Sequence, residues 1–308
     1  MKNIKRKVVC YGEILWDNLP TGKKPGGAPM NVAYHLNQLG IESSLISKVG
    51  KDKNGEELLA FIETKGLSKK YCQIDETYPT STVEVLIGDD NEVKYEIVKP
   101  VAWDFIEENE EISTLTKNAD AFVFGSLATR NATSYNTLLS LLDKATYKVF
   151  DVNLRAPHYS VNGIADLLYK SDLLKLNIHE LNLITSWFFS NCKTEWEKIE
   201  NLQNKFGISE ILVTKGSSGA TYYTKNEQYN YPAYKVIVND TIGSGDSFLA
   251  AFLLKKLAHA DINDTLSYAA ALGAYVTMHS GACPEYKPND LNYFIWKTEL
   301  ATINHLYT

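Results

Sequence analysis

Strand-like and helix-like stretches alternate from one end of this chain to the other. Residues 8–15 form a short apolar run of the strand type. Residues 29–39 place Val32, Ala33, Leu36 and Leu39 at helical spacing, and Gly40 follows as a stop signal. A strand over 45–49 leads to a helix over about 55–65 that Gly66 ends. Two buried-type strands, 121–125 and 147–152, flank a helical stretch over 134–144. Strands at 173–176 and 211–214 continue the pattern, with helices over 179–188 and 195–206. Three more helices are predicted over 243–258, 263–279 and about 289–303. Repeated β–α units of this kind predict an α/β fold, a mostly parallel sheet with helices on both faces.

One segment breaks the rhythm. Residues 82–87 and 93–98 alternate polar and apolar side chains around Gly88-Asp89-Asp90-Asn91, the pattern of a hairpin. A hairpin inserted in a β–α series lies outside the main sheet. With strand material from about 14–25 it makes a small β-lid over about 80–98, inserted in a single domain spanning 1–308. No linker, internal repeat or low-complexity tract divides the chain. Val83, Val85 and Ile87 share one side of the alternation, so a lid-mediated homodimer is expected.

Composition narrows the class of function. Hydrophobic content of 44% and charged content of 22% are ordinary for a globular protein of 308 residues. The net charge of −6 and the lack of a long Lys/Arg cluster argue against nucleic acid as a partner. No apolar stretch approaches the ~20 residues of a membrane span, and the basic opening leads into no signal-peptide core. Cys10, Cys72, Cys192 and Cys283 are scattered without a C-x-x-C pair, which fits a reducing cytoplasm rather than disulfides or zinc.

The chemistry concentrates in Asp240-Thr241-Ile242-Gly243-Ser244-Gly245-Asp246, followed at once by an apolar helix. A small-residue turn opening into a helix offers unpaired N–H groups and the positive end of a dipole to an anion. Asp246, a carboxylate in that first turn, suits an attacking hydroxyl whose proton must be accepted. A tight turn with an ordinary helix N-terminal charge is the alternative. The motif is neither a Walker loop, for want of Gly-Lys-Ser/Thr, nor G-x-G-x-x-G, since Phe248 takes the last glycine's place.

Other groups could serve a polyol. Gly26-Gly27 before a helix allows close approach to a ligand, and Asn31 near its start can donate to and accept from hydroxyls. Asp17, read as following the first strand, could hold two hydroxyls, unless it is a solvated loop residue. Alternation would place Asp151, Asn153 and Arg155 on one side of their strand's end. Asn177 and Glu180 could orient metal-bound water, although Asn177 equally suits a helix cap. Thr214, Gly216 and Gly219 form a glycine-rich strand exit.

In this order, the motifs resemble those of the ribokinase/phosphofructokinase-B family over nearly the whole chain, from Gly12 to about Pro284. Gly26-Gly27 with Asn31 is similar to the family's first pattern, and Asp240-Thr241-x-Gly243-x-Gly245-Asp246 to its second. Pro100-Val101-Ala102-Trp103-Asp104, Gly125-Ser126-Leu127 and Asn153-Leu154-Arg155 are most similar to bacterial fructokinases. The resemblance implies a ribokinase-like three-layer α/β/α fold and ATP-dependent phosphorylation of a primary sugar hydroxyl, D-fructose first among acceptors. It implies Asp246 as base, and Gly243, Ser244 and Gly245 as the anion hole. It assigns Asp17, Gly26, Gly27, Asn31, Asn153 and Arg155 to the sugar. Thr214, Gly216, Gly219 and Ala274, within a 271–281 stretch along the adenine, go to the nucleotide. Mg²⁺ would be held by ATP oxygens and water, with Asn177 and Glu180 in its outer shell. A K⁺ site near Asp240 and the Gly281 loop is implied for some members. Val152, where many fructokinases have Pro, and Lys215, where an apolar residue is usual, depart from the pattern. The remaining alternatives are ribose, 2-keto-3-deoxygluconate or a nucleoside as acceptor, or a sensor that has lost turnover.

Overall fold

Alternation within each strand decides which layer its side chains join, and the first strand shows this directly. In the computed structural model, which describes residues 5–19, 22–87 and 93–305, Val8 and Cys10 join one apolar cluster, and Val9 and Tyr11 join another. Side chains at 19, 85–87, 93–95 and 299–305 fall outside that description.

The strands in chain order are β1 (Lys7–Tyr11), β2 (Leu15–Leu19), β3 (Gly22–Gly26), β4 (Glu42–Gly50), β5 (Cys72–Asp75), β6 (Ser81–Ile87) and β7 (Val93–Ile97). After them come β8 (Ala121–Gly125), β9 (Lys148–Asp151), β10 (Leu173–Asn177), β11 (Glu210–Thr214), β12 (Ala220–Tyr223) and β13 (Gln228–Tyr231). Nine of them make the central sheet, in the order β13-β12-β11-β10-β9-β8-β1-β4-β5. Pairing is parallel from β5 across to β11 and antiparallel only for β12 and β13.

The helices are α1 (Ala28–Gln38), α2 (Lys53–Thr64), α3 (Glu110–Lys117), α4 (Ala132–Leu142), α5 (Val161–Tyr169), α6 (Ile178–Phe188), α7 (Glu195–Phe206), α8 (Ser244–Leu257), α9 (Ile262–Thr277) and α10 (Pro288–His305). Those of α3 to α7 bury Ile112, Leu138, Ile164, Leu181 and Ile199 against one face of the sheet. Against the other face lie Leu36 of α1, Leu249 and Phe252 of α8, and Leu266 and Leu272 of α9. This is the expected three-layer α/β/α arrangement. Local signals bound α7 at both ends: Thr194 and Glu197 form a reciprocal cap, and the helix ends at left-handed Gly207.

A second sheet, β3-β2-β6-β7, stands apart from the first. Its β2 and β6 run parallel, with Asp17 opposite Val83, and the outer pairs are antiparallel. The expected single strand over 8–15 is therefore two, broken where the chain leaves one sheet for the other at Gly12 (φ 144°). Asp17 consequently lies within a strand, not in a loop after β1. The tip of the hairpin at 88–91 lies outside the described residues, as do the side chains of Val85 and Ile87. Val83, the described member of that side, is buried.

Behind the site, His35 of α1 is fully buried and its two ring nitrogens lie 2.9 Å from the Tyr286 hydroxyl and 2.9 Å from the Ala282 carbonyl. A carbonyl only accepts, so Nε2 carries the proton and Nδ1 receives the tyrosine's. Burial pushes the imidazole pKa from 6.5 down to about 4. Because the unfolded chain then binds a proton first, stability should fall as pH drops from 6.5 to about 4, by roughly 3 kcal/mol at ~1.4 kcal/mol per pH unit. Urea unfolding of His35→Gln should show a flatter acid dependence than the parent protein; parallel curves would refute this.

Candidate active site

The carboxyl ends of the central strands, the start of α8 and the second sheet enclose a cleft of about 1680 Å³. At its floor, Gly243 caps α8 with φ 76°, and a Cβ there would lie 2.6 Å from Ala282, so only glycine fits this turn. No side chain caps α8; within the turn Ser244 N–H makes a long bond to the Thr241 carbonyl, 3.3 Å, and Gly243, Ser244 and Gly245 all line the cleft. The Ser244 hydroxyl points away and donates to the Gly273 carbonyl.

Asp246 follows in the first turn, partly accessible from the cleft although its carboxylate is set deep in protein. Asn31 Nδ2 donates to Asp246 Oδ2 at 2.8 Å, and Asn31 Oδ1 accepts from Cys283 Sγ at 3.4 Å. The amide thus helps hold the acid, and it keeps a second N–H and an oxygen lone pair where it lines the cleft. Burial first, and the Asp151 carboxylate second, raise the Asp246 pKa to about 6, against Lys175, Asn31 and Arg155.

Glycine again sets the approach on the opposite wall. A Cβ on Gly26 would lie 2.6 Å from Asp17 Oδ2, and one on Gly27 would lie 2.4 Å from the Glu13 carbonyl. Burial raises the Asp17 pKa, and Arg155 opposes the shift. The expected alternation of Asp151, Asn153 and Arg155 does not occur, because β9 ends at Asp151 and Asn153 is left-handed at φ 42°. All three nevertheless line the cleft, and Arg155 is exposed there.

At the other end, Asn177 caps α6, its Oδ1 accepting from the N–H groups of His179 and Glu180. Glu180 accepts from Asn177 N–H at 2.8 Å and Leu154 N–H at 2.9 Å, and burial raises its pKa. Both oxygens therefore start from backbone partners, leaving lone pairs for water. Thr214, Gly216, Gly219 and Ala274 line the same cleft. Asp240 stands outside its lining and accepts from the N–H groups of Ile242 and Gly281, both at 3.0 Å.

Two lining groups escaped sequence reasoning. Glu13 is 4% exposed, with Oε1 accepting from Ala28 N–H at 3.2 Å and Oε2 unpartnered, and burial raises its pKa to about 7. Lys175 lies in β10 and holds Asp151 in a buried ion pair at 2.7 Å. The signal was present: a lone lysine within Leu173-Leu174-Lys175-Leu176 demands a buried partner.

A glycine turn opening into a helix, with a carboxylate beside it at the strand ends of an α/β sheet, is the arrangement that phosphoryl transfer needs. Comparison with known proteins agrees: the family model for pfkB family carbohydrate kinases matches residues 5–289. The chain belongs to that family and is a carbohydrate kinase. Fructokinase-2 of Solanum lycopersicum is 28% identical over 306 residues, covering 90% of this chain and 92% of that protein. The structure of the fructokinase with bound ATP from Xylella fastidiosa superposes with a TM-score of 0.84 at 21% identity, over 96% of this chain and 100% of that one. A double mutant of the Vibrio cholerae O395 fructokinase, in its fructose-, ADP- and potassium-bound form, gives a TM-score of 0.80 at 24% identity, over 94% and 98% of the two chains.

Proposed function

We propose that this kinase transfers the γ-phosphoryl group of ATP to the primary hydroxyl of D-fructose, giving fructose 6-phosphate. The observation that carries the reading is the Asn31–Asp246 hydrogen bond, which fixes a carboxylate beside the α8 turn. Asp246 accepts the hydroxyl proton as the sugar oxygen bonds to phosphorus and the bond to the ADP oxygen breaks. Gly243, Ser244 and Gly245 present the turn's N–H groups to charge developing on the phosphoryl oxygens. Asp17, Gly26, Gly27, Asn153 and Arg155 bound the sugar's end of the cleft; Thr214, Gly216, Gly219 and Ala274 bound the nucleotide's.

Among the described residues, no group of three or more His, Cys, Asp or Glu is placed to hold a metal directly. Mg²⁺ would be held by the phosphate oxygens of ATP and by water, with Glu180 and Asn177, which line the cleft, reaching it through that water. It would neutralise phosphate charge during transfer. The Asp240 carboxylate closes the Gly281 loop, which is consistent with a K⁺ ion held by backbone oxygens there. The second sheet serves as a lid on the single domain, excluding water that would otherwise hydrolyse ATP. Four free cysteines suit a cytoplasmic location, and pairing of lids in a homodimer is testable by mass in solution scattering.

A panel of acceptors in a coupled ADP-release assay decides the substrate. Fructose should give the highest kcat/KM. Arg155 keeps a second reading open, since its exposed guanidinium could bind an acid sugar's carboxylate. Preference for 2-keto-3-deoxygluconate, ribose or a nucleoside would overturn fructose. Ligand-induced thermal stabilisation without ADP formation would instead identify a sensor.

A further inference from the structure

Lys175 and Asp151 form a buried ion pair that the phosphoryl-transfer scheme above does not use. Both residues line the cleft from neighbouring parallel strands, Asp151 at the end of β9 and Lys175 in the middle of β10, where Leu173 pairs with Val149 and Lys175 with Asp151. Lys175 Nζ donates to both Asp151 oxygens, at 2.7 and 3.0 Å. The same ammonium lies close to the first turn of α8: a Cβ on Gly245 would lie 3.1 Å from it. A side chain at Gly245 would press on the end of that lysine, which would have to give by a few tenths of an ångström.

Removing two charges from water costs several kcal/mol per ion, and well-packed apolar residues often replace such pairs without loss. A buried pair here, beside Val149, Phe150, Leu174 and Leu176, is better explained by its effect on its neighbours than by stability. Its neighbour is Asp246, which feels Asp151 as repulsion and Lys175 as attraction. Burial opposes the Lys175 charge, but Asp151, Asp246 and Glu180 together hold it protonated. The other charged or titratable groups facing Asp246 are Arg155, Glu13 and Cys283.

We propose that the Lys175–Asp151 pair sets the charge state of Asp246 and places a fixed cation beneath the anion hole. Both are then positioning residues for phosphoryl transfer. The inference rests on Asp246 being the base. Lys175 keeps the base ionised and adds positive charge behind the N–H donors; Asp151 holds that ammonium in place and keeps it from neutralising Asp246 outright.

The test is the acidic limb of kcat/KM against pH. Lys175→Met should move that limb to higher pH, and Asp151→Asn should move it to lower pH, each by about one pH unit or more, as expected for a charge removed at this range. The double variant Asp151→Asn/Lys175→Met should return the limb toward the parent position. Thermal unfolding is measured beside each. A merely structural pair would lower the melting temperature and kcat without opposite limb shifts. If Lys175→Met does not fold, the acid shift of Asp151→Asn and its reversal in the double variant carry the test alone. Limbs that stay fixed, or move in one direction, overturn the inference even where Asp246→Asn abolishes turnover. Turnover surviving in Asp246→Asn instead overturns the base assignment, independently of the limbs.

Discussion

Asp246→Asn is expected to lower kcat by about 10²–10⁴, the usual loss when a general base is removed. The substitution is nearly isosteric, and Asn31 Nδ2 can still donate to the oxygen of an amide at this position, so the α1–α8 junction should persist. What disappears is a proton acceptor beside the turn. Sugar binding should therefore survive, read as an unchanged thermal shift with fructose, while ADP production collapses. A carboxylate acting as base works only when ionised, so parent activity should fall as pH drops below about 6, where burial and Asp151 raise the Asp246 pKa. Near-normal turnover in the variant would remove Asp246 from the mechanism.

Much of this site was legible because its local rules are strict. The turn Gly243-Ser244-Gly245 and the start of α8 follow from residue types alone, and the structure puts the helix boundary at Ser244. The parallel sheet was legible from apolar runs such as Ala121-Phe122-Val123-Phe124-Gly125, which is buried throughout. Short or polar elements were not: β5, β12 and β13 have four residues each, and β13 is half exposed, so their pairing partners define them more than their composition does. The α3 and α5 helices were missed for a similar reason, being only 8 and 9 residues long. The role of Asn31 was also hidden, because its bond to Asp246 spans 215 positions of sequence. Lys175 and Asp151 face one another for the same tertiary reason. Neither strand alone says which buried charge answers the other.

Gly27→Ala should produce the second large effect, and it separates backbone strain from close approach. Gly27 holds φ 116°, a conformation that side chains disfavour, and a Cβ would come within 2.4 Å of the Glu13 carbonyl and 3.1 Å of Ile14 Cα. Those are backbone atoms at the crossing from the central sheet to the second one, so no rotamer change relieves the overlap. The start of α1 must move instead. Gly27 O accepts the Asn31 N–H at 2.9 Å, and Glu13 accepts the Ala28 N–H, so that shift pulls Asn31 away from Asp246. We expect a stability loss of about 2–4 kcal/mol in urea unfolding, from strain and overlap together, and at least a tenfold fall in kcat/KM for the sugar. Gly22→Ala is the control. It has nearly the same φ, 117°, with nothing within 4 Å of the added Cβ, so it should show the strain without the overlap or the loss of activity. Equal losses in the two variants would mean that the approach to Glu13 contributes nothing, and that Gly27 is required for its backbone angle alone.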